Sequence, residues 1–164
     1  MDQKVAAAVA LGVVGAAAVS GSRFGPTPNR PRTAFWYARL RKPSFTPPGP
    51  VFGAAWTVLD GLLCYSGYRL MTKPAEPRRN LALGLWGLCA LGVGGFSYVL
   101  FGRKKLGAAL GVTAGMVASS AGFVAVADPV DRTAALLGVP LAAWTVFAAV
   151  LQEEVWRRNR RRLV

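Results

Sequence analysis

Five apolar runs, at residues 5–24, 51–71, 80–101, 106–127 and 132–156, dominate this chain and limit what it can fold into. A hydrocarbon core ~30 Å thick needs about twenty apolar residues at a rise of ~1.5 Å each, and four of the runs have that length outright. Within lipid every backbone polar group must be satisfied inside its own segment, so such runs become helices. The expected fold is all-α, an integral membrane bundle of five transmembrane helices in a single domain spanning residues 1–164. The first run is the shortest. With Lys4 ahead of it and Val19-Ser20-Gly21 behind it, a cleaved signal peptide competes with a retained helix.

Charge sits outside these runs. The chain carries 20 Lys and Arg against 7 Asp and Glu, a net +13. Fourteen of those cations fall in the segment 23–42, the turn 103–105 and the tail 157–162. Five fall on the other side, at Lys4, Lys73, Arg78, Arg79 and Arg132, with Arg69 close by. That asymmetry places the long first loop and the C-terminus in the cytoplasm by the positive-inside rule. No recognition motif accompanies the charge, so nucleic acid is not an expected partner. The absence of His excludes imidazole metal sites and His-based triads, and Cys64 and Cys89, both within apolar runs, suggest neither a disulfide nor a zinc site. No catalytic acid/base pair, phosphate loop or metal constellation is present, and no cofactor is required.

Small residues offer packing faces. Ala8, Gly12, Gly15 and Ala16 would admit a neighbouring helix, and Gly107, Gly111 and Gly115 form a repeated G-x-x-x-G ridge, either internal to the bundle or a dimer seam. Asp131 and Thr133 offer an N-cap for the last run. Trp86 and Trp156 near span ends read as interface anchors, and Glu153 and Glu154 as local partners for the terminal arginines.

Residues 36–56, W-Y-A-R-L-R-K-P-S-F-T-P-P-G-P-V-F-G-A-A-W, interrupt the pattern. Prolines 31, 43, 47, 48 and 50 remove donors and push the residues before them out of the α region, so 25–50 is expected to be loop. Aromatics and cations interleaved there suit an interfacial lid. The motif W-Y-x-x-L-x-K-P-S-F-x-P-P-x-x-V-F-G-x-x-W-T-x-L resembles the translocator protein family, also called tryptophan-rich sensory proteins or peripheral benzodiazepine receptors. Trp36, Tyr37, Leu40, Lys42, Pro43, Pro47, Pro48, Trp56, Thr57 and Leu59 carry the match. Gly21-Ser22-Arg23-Phe24, Phe101-Gly102-Arg103, Pro140-x-x-x-Trp144 and Val155-Trp156-Arg157-x-Asn159 extend it to nearly the whole chain.

The resemblance implies five transmembrane helices, the first retained, around a ligand cavity beneath the first loop. It implies binding of tetrapyrroles such as protoporphyrin or heme, of sterols and of benzodiazepine-type drugs, in transport, sensing or sequestration. Light-dependent porphyrin degradation through Trp56 and Trp144 is an alternative, as is a structural subunit of a larger membrane complex that has lost the ligand. Homodimers, and a bacterial inner or mitochondrial outer membrane, are further implications. Ligand-contacting positions by resemblance are Trp36, Tyr37, Phe45, Pro47, Trp56, Phe96, Trp144, Phe147 and Ala148, with Arg39, Arg41 or Lys42 for propionates. Departures are Phe45 for a usual Trp, Val93 and Phe96 for an Asn and a Trp, Gln152 for an Asn, and Glu153-Glu154 where the sterol motif of animal members needs a Tyr. Leu63-x-Tyr65-x-x-x-Arg69 fits that loose motif formally.

Asp60 joins the candidates by spacing. It stands where the family has Tyr, and as i+4 from Trp56 it shares that helix face. An ionised carboxylate at mid-bilayer costs at least ~2.5–3.5 kcal/mol, so it should face the bundle interior or be protonated. Contact with ligand or water, and a neutral carboxyl bonded to a neighbouring helix, both remain open.

Overall fold

The computed structural model describes residues 1–160, which contain six α-helices and no strand. In order they are α1 (Gln3–Ser22), α2 (Pro31–Ala38), α3 (Gly49–Met71), α4 (Pro77–Ser97), α5 (Leu106–Ala127) and α6 (Arg132–Asn159). α4 runs on into a π-helical turn, Tyr98–Gly102. Arg161 and Arg162, counted above among the tail cations, lie outside the described residues.

Local chemistry sets the helix starts. The Asp2 carboxylate accepts the Lys4 amide at 2.9 Å and caps α1, and Asp131 accepts the Ala134 amide at 3.0 Å and caps α6. Pro31, Pro50 and Pro77 lie in the first turns of α2, α3 and α4. There the missing N–H would have had no helical partner anyway. This corrects the expectation that residues 25–50 are all loop: Pro31 opens a helix that carries Trp36 and Tyr37, and α3 begins at Gly49. The α6 helix also runs three residues past the expected end, to Asn159.

Four helical stretches are long and apolar enough to cross a membrane: α1, α4 with its π turn, α5 and α6. At 23 residues α3 has the length, but Thr57, Asp60, Ser66 and Arg69 dilute its apolar character. The expectation of five spans is thus met by four on composition.

The long helices close a ring in the order α1, α3, α6, α5, α4 and back to α1. At the end of the ring away from α2, Trp86 of α4 crosses to α3. Its indole donates to the Leu63 carbonyl at 2.8 Å and covers Gly67, where any Cβ would collide with the ring. Trp86 is only 4% exposed, so it is a core residue and not the interface anchor expected of it. Phe123 packs on Gly138 in the same way, with a Cβ there meeting the ring at 2.6 Å. The expected α1 face is corrected too. Gly12 and Gly15 meet nothing within 4 Å and Ala8 and Ala16 are exposed; Ala6, Ala10 and Val14 face the bundle instead. Of the α5 ridge only Gly107 has a neighbour, Trp156, while Gly111 and Gly115 open outward. The ridge is therefore not an internal seam.

At that same end Asp131 binds Arg69 and Lys73 of the α3 terminus, each at 3.0 Å. Arg79 donates to the Leu70 and Met71 carbonyls, both at 3.0 Å, closing the end of α3. The α3–α4 and α5–α6 connections are thereby tied down, and the opposite end of the ring is left for the loop.

Candidate functional site

The ring does not close under α2. A cavity of about 990 Å³ lies there, at the upper end of the range for small-molecule sites. Its walls come from α1 (Gly21, Ser22), α3 (Trp56, Asp60), α4 and its π turn (Val93, Phe96, Leu100), α5 (Thr113, Met116) and α6 (Ala148, Gln152). The loop segment 42–48, rich in proline, forms its roof with the first residues of α3. The π turn matters because a wider helical turn displaces Leu100 and Phe101 from the register that α4 would otherwise keep. The chain then turns sharply at Lys104, whose φ of 54° is in the left-handed region.

A two-point clip holds the roof. The Asn159 side chain accepts the Arg41 amide and donates to the Arg41 carbonyl, both at 3.0 Å. It is 3% exposed. Asparagine suits this because its amide presents one acceptor and one donor side by side, matching a single residue's backbone. The Gln152 amide donates to the Leu106 carbonyl at 2.9 Å, fixing the start of α5 against α6 at the cavity wall. Lys42 donates to the Tyr37 carbonyl at 2.7 Å and lies 4.3 Å from the Tyr37 ring centre. Burial lowers the Lys42 ammonium and raises the Tyr37 phenol relative to their ordinary values.

Six of the ten candidate residues line the cavity: Tyr37, Pro47, Trp56, Asp60, Phe96 and Ala148. The other four do not line it. Trp144 meets the edges of Phe52 at 5.5 Å and Trp56 at 6.4 Å, and its buried indole N–H has no acceptor among the described residues. Phe147 packs on Trp144 at 5.2 Å. Phe45 meets Phe147 at 6.4 Å and is largely exposed. Trp36 sits under the Lys104 ammonium at 5.6 Å. Of the proposed cations Lys42 alone reaches the cavity, whereas Arg39 lies over Phe35 and Arg41 engages Asn159 through its backbone.

A ring of long apolar helices with a proline-roofed cavity at one end can be set beside known proteins. A family model described as TspO/MBR family matches residues 7–157. The chain belongs to the TspO/MBR family. It is 34% identical to the human translocator protein over 128 residues, covering 76% of this chain and 75% of that one. The tryptophan-rich sensory protein of Cereibacter sphaeroides is 29% identical over 149 residues, 91% and 88% of the two chains. Protein CrtK of Rhodobacter capsulatus is 29% identical over 125 residues, 76% and 78%. Membership and the four apolar stretches make this TspO/MBR protein an integral membrane protein.

Two residues that shape the site carried no functional signal in the sequence. Asn159 was visible only as part of a motif, and Gln152 only as a departure from the family's Asn. Their partners are 118 and 46 positions away, so neither spacing nor periodicity exposes the contact.

Proposed function

We propose that the protein binds a flat lipophilic ligand of the tetrapyrrole class in the cavity beneath its first loop, for transport, sensing or sequestration. The cavity itself carries this reading: it is large, mostly apolar, walled by Trp56, Phe96 and Phe101, and has the Lys42 ammonium at its roof. Aromatic faces suit a planar macrocycle and an ammonium suits its propionates. Titration with protoporphyrin IX in darkness, followed by tryptophan quenching, tests it. Saturable quenching is the expected result, and none at micromolar porphyrin would reject the reading. A photochemical reading is favoured by one contact, the edge-on Trp56–Trp144 pair. Under illumination it requires loss of the porphyrin band that Trp56→Phe suppresses; light-independent stability of the complex would remove it.

The proposal includes α3 as a fifth span. Its length of 23 residues suffices, and its place in the ring between α1 and α6 leaves it no route around the bilayer. Five spans put α2 and the C-terminus on one side, the cytoplasmic one by charge. Single cysteines at Thr27 and Ala75 should then react with an impermeant thiol reagent from opposite faces of a sealed vesicle. Labelling of both from one face would contradict this topology.

A further inference from the structure

Asp60 is the carboxylate this structure leaves unexplained. Among the described residues, every other acidic side chain is either exposed to solvent or engaged. Asp131 holds Arg69 and Lys73, Glu154 holds Arg157 and Arg158, and Asp2 caps α1. Asp128, Glu76 and Glu153 are exposed. Asp60 is partly buried on the cavity wall, one helical turn beyond Trp56, and no described residue donates to it or pairs with it. Among the described residues, the cavity is lined by one other charged side chain, Lys42. The two charges stand at different depths. Lys42 belongs to the roof, and Asp60 is eleven residues into α3, about 16 Å along the helix axis at ~1.5 Å per residue.

We propose that Asp60 is a specificity-determining residue, and that the cavity selects amphoteric lipophilic ligands. Such a ligand presents a protonated amine or an N–H donor to Asp60 and an acidic group to Lys42. The physical reason is the cost of an isolated carboxylate in apolar surroundings. Water satisfies it only partly, and a cation brought by the ligand satisfies it by direct pairing in a low-dielectric cavity, where charge-assisted hydrogen bonds are strong. The aromatic wall around Trp56 and Phe96 then supplies the contact with the ligand body. This deepens the binding reading above and rests on it, adding a sign of charge to the deep end of the site.

A matched series separates the two. Native protein in phosphatidylcholine nanodiscs is titrated with 1-pyrenemethylamine, 1-methylpyrene and 1-pyrenecarboxylic acid, and binding is followed by energy transfer from tryptophan to pyrene. The ammonium probe should bind at least tenfold more tightly than the methyl probe. Asp60→Asn should bring the two to parity while leaving methylpyrene affinity within about twofold, which also shows that the cavity is still formed. Lys42→Gln should weaken the carboxylate probe and spare the ammonium one. Equal affinities for ammonium and methyl probes in the native protein, or a preference that survives Asp60→Asn, would overturn the proposal while leaving the cavity a binding site. Failure of all three probes to bind would overturn both.

Discussion

Asp131 shows how one side chain can tie the end of one helix to the start of another. Burial by itself would raise its carboxyl, but the Ala134 amide and the Arg69 and Lys73 cations outweigh that and hold it at about 2. A depressed carboxyl stabilises the fold above its ordinary range near 4, and the contribution disappears as pH falls through about 2. At ~1.4 kcal/mol per unit, reduced because Arg69 and Lys73 touch solvent, the group contributes about 1–2 kcal/mol. Asp131→Asn should therefore lower the melting temperature at pH 6, and the gap from the native protein should narrow between pH 4 and pH 2.5. A gap independent of pH would contradict the assignment. The Asp131 cap was legible beforehand, because a cap is a local arrangement of neighbouring residues. Trp86 was not. Its position near a run's end resembles an interface anchor, and only the bare backbone of Gly67, 19 positions earlier, gives the indole a place inside.

The elements repeat that contrast. Four long helices were readable to within a few residues, because apolar runs of this length leave the backbone no alternative in lipid. The fifth, α6, extends three residues further. The expectation of a continuous loop fails where a proline starts a helix. Pro31 and Pro50 look like breakers within a proline-rich stretch, yet each occupies a first turn where it does no harm. The position of the loop over the cavity depends on a distant residue, since Asn159 makes both polar contacts with Arg41. Losing this part-buried pair frees the Arg41 backbone groups to rearrange and costs about 1–2 kcal/mol. Asn159→Ala should accelerate amide exchange across residues 39–48 at least tenfold while leaving α4 and α5 protected. Unchanged exchange in that segment would mean that the roof is held by packing alone.

For the whole molecule, the ring is sealed at one end by Trp86, Phe123 and the Asp131 cluster and opens at the other into a roofed cavity. Trp56 and Asp60 sharing a wall follows from their i, i+4 spacing and could be read from the sequence. The absence of Trp144 and Phe147 from that wall could not, because their orientation depends on how α6 is rotated against α3. If the cavity is the ligand site, a bulky side chain on its wall must block binding, and Ala148 offers the cleanest position for one. Its methyl group lines the space from α6, and a phenyl ring there occupies the volume a macrocycle would need without touching Lys42 or the Asn159 clip. The decisive measurement is the dissociation constant of protoporphyrin IX for the native protein and for Ala148→Phe, with melting curves of both. A loss of at least tenfold in affinity, at a melting temperature within a few degrees of native, is the predicted result. Equal affinity in a folded Ala148→Phe variant would place the ligand elsewhere and contradict the account.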